Sequence, residues 1–319
     1  MRSKRNRVFT GAILVLALIL ASIGCAEREN YTRVNLTRGQ MVTISPQVPG
    51  EGRPSTEGKP PLRVAVAAVI SPRETIKSYS NILKYLEEKL DRPIELVQRQ
   101  TYAEINALIR DGNIDLAFVC TNAYVIGQKE FGLELLVAPQ VGGEVVYRSY
   151  LIVPGASRAQ SIKDLRGKVF AFSDPLSTTG RLVPVFWLKE MGETPERFFN
   201  KTVYTYSHDN TIKAVAEGLV DGGTVDSLVY DATVATHPDY AHSVKVVQRS
   251  RAFGNPPVVV PPGLDPQLKK QLRELLLTMN EDAKGNKILQ DLLIDRFVIP
   301  DDHLYDPVRE MAEKVGLQQ

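Results

Sequence analysis

The alternation of short apolar runs with amphipathic helical patterns between Leu62 and Val137 leaves this chain few ways to fold. Leu62-Arg-Val-Ala-Val-Ala-Ala-Val-Ile70 is almost continuously apolar, the pattern of a strand buried on both faces. Ser71-Pro-Arg-Glu74 follows as a capping box with proline at the first helical position. Ile76, Tyr79, Leu83, Leu86 and Leu90 continue it as an amphipathic helix. Pro93 to Val97 gives a second strand. Thr101-Tyr-Ala-Glu104 is another capping box, opening a helix through Ile105, Leu108 and Ile109 that stops at Asp111-Gly112. Ile114 to Cys120, Asn122 to Phe131 and Leu133 to Val137 add a strand, a helix and a fourth strand. Such a rhythm specifies an α/β fold, with a mostly parallel sheet flanked by helices.

Val145 to Val153 breaks the rhythm with an extended run too long for it, which reads as a crossing into a second lobe. That lobe holds the strand Val169–Phe172, a helix over Leu182–Glu190 and an extended Lys201–Tyr206. A helix through Ile212, Val215, Ala216 and Leu219, and a short strand Gly222–Asp226, complete its core. Val244 starts a return crossing, Pro256 to Val260 rejoins the first lobe, and three closing helices follow. The expected division is 62–148 and 251–319 for lobe 1, and 149–250 for lobe 2.

Residues 1–61 have another character. Arg2, Lys4, Arg5 and Arg7 precede a mainly apolar run from Val8 to Ile23, and Gly24-Cys25 follows. This order predicts an export signal over 1–24 with Cys25 as an acylated N-terminus; the competing reading is an uncut signal anchor. Glu27 to Pro61 is rich in proline and glycine, and 25–61 reads as a flexible tether. As a coil it would set the domain about 35 Å from its anchor. Within it, Val34, Leu36, Met41, Val42 and Ile44 outline a short strand. The 39 Lys and Arg, less the four in the signal, leave 35 against 37 Asp and Glu, a net −2. No basic field points to nucleic acid. Only Cys120 remains beyond Cys25, so an internal disulfide is excluded, and Cys120 reads as a small buried apolar group.

Function concentrates in Val169-Phe-Ala-Phe-Ser-Asp-Pro-Leu-Ser-Thr-Thr-Gly180: strand, tight loop, helix start. A helix start presents unpaired N–H groups and a partial positive charge. Ser177, Thr178 and Thr179 add donors for a tetrahedral oxyanion, or else serve as an ordinary cap and first turn. Tyr79, Tyr124, Tyr147, Tyr150, Tyr204 and Tyr206 cluster where strands meet helices or cross lobes. Each either packs half-buried or donates to an anion while excluding water. His208 stands before a helix, on a surface loop or facing a cleft. Asp226 ends a strand, capping the next helix or accepting from a ligand. A Ser177–His208–Asp226 hydrolase is disfavoured by its chain order and by the lack of a G-x-S-x-G elbow. No Walker loop, zincin motif or Rossmann fingerprint is present, and His237 and His242 make a poor metal pair.

Three blocks now stand in order: Thr101-Tyr-Ala-Glu with Asp115-Leu-Ala-Phe and Ala123-Tyr-Val; Phe172-Ser-Asp-Pro-Leu-Ser-Thr-Thr-Gly-Arg-Leu-Val-Pro184; and His208-Asp with Ala214-Val-Ala-Glu-Gly and Val220-Asp. Together they resemble the phosphate-, phosphite- and phosphonate-binding proteins of ABC importers, over about Leu62 to Ala312. The resemblance implies a two-lobed periplasmic-binding-protein fold joined by two crossing strands, closing on its ligand by hinge motion. It places the ligand oxygens on Ser177, Thr178, Thr179, His208 and Tyr147, with Tyr79, Tyr124 and Asp226 as further candidates. The family's Ser-Thr-Ser-Gly is here Ser-Thr-Thr-Gly, which keeps the donor. Around Asp226 the residues depart from the aminophosphonate binders, so no ligand amine is expected. The implied protein is a lipid-anchored, monomeric receptor that takes a small phosphorus oxyanion to a membrane permease, without cofactor, metal or catalysis. Other readings keep the fold, and change the partner to a signalling protein or the ligand to a sulfonate or pyrimidine precursor.

Overall fold

The computed structural model describes residues 31–35, 40–44 and 59–316. The expected signal segment and Cys25 lie outside the described residues. Lobe 1 begins with Tyr31–Asn35 (β1) and Gln40–Ile44 (β2), then Leu62–Val66 (β3), Pro72–Leu90 (α1) and Ile94–Val97 (β4). Tyr102–Arg110 (α2), Leu116–Phe118 (β5), Thr121–Phe131 (α3) and Glu134–Gln140 (β6) follow, and Val146–Tyr147 (β7) leads across. Lobe 2 contains Ser149–Pro154 (β8), Val169–Phe172 (β9), Val183–Glu190 (α4), Pro195–Phe198 (α5) and Lys201–Tyr204 (β10). It continues with His208–Ala216 (α6), Gly222–Asp226 (β11), Ser227–Thr236 (α7), Pro238–Ser243 (α8) and Val244–Arg249 (β12). Phe253–Gly254 (β13) crosses back. Val258–Val260 (β14), Pro266–Leu277 (α9), Ala283–Asp291 (α10), Arg296–Val298 (β15) and Asp306–Val315 (α11) complete lobe 1.

The sheet of lobe 1 has the order β15-β6-β14-β5-β3-β4-β1-β2. The strands of the βα rhythm run parallel, with β3 between β4 and β5. The return strand β14 inserts antiparallel between β5 and β6, because it arrives from the other lobe rather than over a crossover helix. Lobe 2 repeats the scheme as β10-β9-β11-β8-β12, its crossing strand β8 antiparallel to both neighbours. Part of the expected tether is strand instead: β1 and β2 form an antiparallel hairpin, and β1 pairs with the edge of β4.

Strand alternation builds both faces of the first sheet. Leu62, Val64 and Val66 join Ile82 and Leu86 of α1, Leu272 and Leu276 of α9, and Leu289 of α10. Ala65, on the opposite face, joins Ile105 and Ile109 of α2, Val125 of α3, and Val308 and Met311 of α11. That second layer runs on into lobe 2 through Leu182 and Val183, and takes in Tyr147 and Phe253 of the paired crossing strands. Among the described residues no helix is long and apolar enough to cross a membrane.

The two capping boxes at the starts of α1 and α2 behave differently. Thr101 and Glu104 close theirs, with Thr101 Oγ1 accepting from Glu104 N–H at 3.3 Å and Glu104 Oε2 from Thr101 N–H at 2.7 Å. Ser71 makes no side-chain cap; its N–H donates at 2.9 Å to Asp209 Oδ1 of lobe 2. Helix α1 is capped from across the cleft.

Candidate functional site

Ser177 is the N-cap of the expected helix, its Oγ accepting from Gly180 N–H at 2.9 Å. The first turn is wider than expected, a π-turn over Thr178–Leu182 ahead of α4. Pro184 explains much of this. It has no N–H to return to the Gly180 carbonyl, which accepts instead from Ser173 N–H at 3.3 Å. Leu182 N–H reaches back to Ser177 O at 2.9 Å, and Val183 N–H to Thr178 O.

The three hydroxyls of this turn are buried and differ in use. Thr178 Oγ1 leaves its own lobe: it accepts from Asn122 N–H at the start of α3, at 2.8 Å, and touches Cys120 Sγ at 3.5 Å. Thr178 N–H donates to the same sulfur at 3.4 Å. Thr179 Oγ1 has no hydrogen-bond partner among the described residues, while its carbonyl accepts from Ser149 Oγ at 2.7 Å.

His208 is the first residue of α6, held between the lobes by its N–H donating to Val69 O at 2.9 Å. Its Nδ1 accepts from the Asp226 backbone N–H at 3.1 Å and lies 2.9 Å from Ser173 Oγ. A ring nitrogen that accepts from an amide carries no proton, so this network assigns the proton to Nε2, 3.4 Å from Ser177 Oγ. Burial lowers the His208 pKa to about 3, so the ring is a neutral donor at pH 7. The hydrolase reading fails on this geometry. A triad needs Nε2 free to take the serine proton and Nδ1–H donating to a carboxylate, and both polarities are reversed here.

Asp226 fills the capping role expected of it. Its Oδ1 caps α7, accepting from Leu228 N–H at 2.7 Å and Val229 N–H at 3.4 Å. The side chain is nevertheless 3% exposed, and burial pushes its pKa up to about 7. Its charge reaches Tyr79 across the cleft, whose pKa stands at about 12, first through burial and then through Asp226.

Tyr147, on the crossing strand β7, is buried with its hydroxyl beside Thr121 and Thr178, yet it completes no hydrogen bond among the described residues. Tyr102 matches it. This first residue of α2 is fully buried among Ala67, Ala68, Cys120 and Ala123, and its hydroxyl is likewise unpartnered. Burial holds both phenols well above their usual pKa, and both feel Cys120 and Asp226. Sequence reasoning passed over Tyr102. The signal was its place directly after an N-cap at the C-terminal side of a strand, where α/β sheets bind ligands.

Tyr124 is engaged within lobe 1. Its hydroxyl donates to Asp302 Oδ1 at 2.7 Å and accepts from Gln128 Nε2 at 2.8 Å, while its ring stands edge-on to Tyr305. The turn of α3 carries it to the face packed on the C-terminal segment, so it holds lobe 1 together. Tyr150 packs on Tyr230 under Arg249, and Tyr204 on Tyr206. Among the described residues no group of three or more His, Cys, Asp or Glu is placed to hold a metal ion.

The assembled set is therefore chiefly one of neutral donors, namely Tyr79, Tyr102, Tyr147, Ser177, Thr179 and His208 Nε2–H, with a single carboxyl at Asp226. Buried hydroxyls without partners cost about 1–3 kcal/mol each, which a multivalent acceptor such as a tetrahedral oxyanion offsets.

The chain is similar to several known proteins. The phosphate-import protein PhnD of Mycolicibacterium smegmatis is 29% identical over 214 residues, 62% of this chain and 65% of the relative, so the match spans just under two thirds of that protein. A probable ABC transporter phosphite-binding protein, PhnD1 of Prochlorococcus marinus, is 22% identical over 75% of this chain and 84% of its own. The crystal structure of a binding-protein component of a phosphonate ABC transporter from Pseudomonas aeruginosa covers 81% of this chain and 87% of its own, with a TM-score of 0.76. At 24% identity that likeness is one of fold. The family model for periplasmic substrate-binding proteins of phosphonate ABC transporters matches residues 64–305, most of the folded chain, and the chain belongs to that family.

Proposed function

We propose that this protein captures a small phosphorus oxyanion, a phosphonate, phosphite or phosphate, between its lobes and delivers it unchanged to the permease of an ABC importer. The observation that carries this reading is the set of buried, unpartnered hydroxyls of Tyr102, Tyr147 and Thr179 beside the neutral His208 donor. Neutral donors suit an anion that must later be released, since they bind it without forming an ion pair. Asp226 supplies the one group able to share a proton with a ligand oxygen.

Calorimetric titration with phosphite, methylphosphonate, phosphate and methanesulfonate tests the reading, with at least one phosphorus anion expected to bind best. Affinity is expected to fall as the pH rises through about 7, because Asp226 is protonated below that value and ionises above it beside an anion. Asp226→Asn should flatten that decline. Binding of methanesulfonate alone would overturn the ligand class.

The family places the protein outside the cytoplasm, and a lipid on Cys25 is the anchor that the basic, apolar and Gly-Cys order supports. With β1 beginning at Tyr31, the stretch from anchor to sheet is Ala26–Asn30, a reach of about 20 Å at most rather than the 35 Å of a longer coil. Labelled palmitate is expected to enter the wild type and not Cys25→Ser. Label in that variant, or none in the wild type, refutes the anchor.

A further inference from the structure

Three helices of lobe 1 direct their N-termini at lobe 2, and a lobe-2 oxygen meets each of them. Ser71 N–H, at the N-cap of α1, donates to Asp209 Oδ1 at 2.9 Å. Tyr102 N–H, the first of α2, donates to Asp174 Oδ2 at 3.2 Å. Asn122 N–H, near the start of α3, donates to Thr178 Oγ1 at 2.8 Å. Helix starts leave N–H groups without intrahelical partners and carry partial positive charge, so carboxylates are their strongest natural caps. These caps differ from ordinary ones in that donor and acceptor belong to different lobes.

The consequence is energetic. A bond within a lobe contributes equally to open and closed forms and leaves their ratio unchanged. A bond between lobes contributes only to the closed form, and ligand affinity rises with the closed population. Thr178 belongs to the hydroxyl turn itself, whereas the two carboxylates have no role in the site described above. Asp174 is fully buried in the loop before Ser177, where its Oδ1 also accepts from Leu176 N–H at 2.7 Å. Asp209 is half-buried in the first turn of α6, beside His208.

We propose that Asp209 and Asp174 are positioning residues for capture: by capping α1 and α2 across the cleft, they set how long the lobes stay closed on a ligand neither touches. The ligand half of this statement rests on the function proposed above. The closure half does not, because the same caps bias the unliganded protein.

The test uses Asp209→Ala, Asp174→Ala and their combination, with two readouts. Small-angle scattering of the unliganded protein is expected to give a larger radius of gyration for the double variant than for the wild type. Stopped-flow measurement with methylphosphonate should show dissociation about 10- to 100-fold faster, and association within about threefold of wild type. Asp209→Asn keeps the shape and an acceptor oxygen but loses the charge, and should recover only part of the loss, whereas a purely steric role predicts full recovery. If Asp174→Ala fails to fold, Asp209→Ala alone decides, since its side chain is not part of a core. Unchanged scattering and unchanged dissociation in Asp209→Ala would overturn the proposal. If the wild type binds none of the phosphorus anions, the functional reading falls, and the radius of gyration of the unliganded variants still decides the role of the caps.

Discussion

Replacing Ser177 and Thr178 together by alanine is expected to weaken anion binding by about 100-fold or more in a protein that stays folded. A hydrogen bond to a charged group contributes ~1.5–3 kcal/mol, and ~1.4 kcal/mol is tenfold in affinity, so two lost hydroxyls give roughly that factor. The stability cost is smaller. Ser177 is a side-chain cap for Gly180 N–H, and removing such a cap costs about 0.5–2 kcal/mol. Thr178→Ala has a second effect, since it strips Asn122 N–H of its acceptor in the other lobe. Thr178→Ser keeps that oxygen and should restore the bond to Asn122 N–H. Calorimetry with the best-bound anion reads the result, and wild-type affinity in the folded double variant would place the site elsewhere.

Gly180→Ala should be still more damaging, to folding and binding together. An added Cβ would stand 2.5 Å from both Cβ and Oγ of Ser173, and 3.0 Å from Ser177 Oγ. Flexible neighbours yield to such a contact, but Ser173 is not free to do so. Its Oγ lies 2.9 Å from His208 Nδ1 and 3.1 Å from Thr211 Oγ1, and its N–H is bonded to Gly180 itself. Any shift of Ser173 turns the His208 ring that presents Nε2–H to the site. Overpacking of this kind costs about 1–3 kcal/mol, which thermal unfolding reads as a drop of several degrees. Affinity should fall in parallel, because the displaced groups are those of the site. An unchanged melting temperature with unchanged affinity would show that the loop relaxes without cost.

Residue by residue, what could be foreseen was what local chemistry decides. The βα rhythm from Leu62, the Thr101–Glu104 capping box and the hydroxyl run at a helix start all depend on neighbours in sequence, and all are present. Ser71 shows the limit. Its spacing to Glu74 is that of a capping box, but Asp209, distant in sequence, takes over the N-terminal N–H. Tyr124 and Tyr102 show the same limit from opposite sides. Both lie in the first turn of a helix of lobe 1, and only the packing of whole helices decides which face looks into the cleft. Periodicity reports that a helix has an apolar face, not which neighbour it will meet. The β1–β2 hairpin was half visible in the alternation of Met41 to Ile44, and its partner, the edge of β4, was not. The antiparallel entry of β14 follows from topology alone, and no residue of Val258–Val260 announces it.

One consequence concerns the order in which a ligand meets these groups. In a rotation, each atom moves in proportion to its lever arm. Tyr79 and Tyr102 ride on one body, and His208 and Asp226 on the other. Tyr147 sits at the junction, because β7 pairs with β13 where the chain passes between the two. If the two bodies turn about these paired strands, its lever arm is the shortest of the set and its hydroxyl moves least. Ser149, two residues on along the same crossing segment, holds the Thr179 carbonyl and so ties the hydroxyl turn to that fulcrum. Under the proposed function an arriving anion would find that fulcrum by diffusion, and the two bodies would decide its residence time. Arrival and retention would then rest on different residues, and selection could tune either one alone.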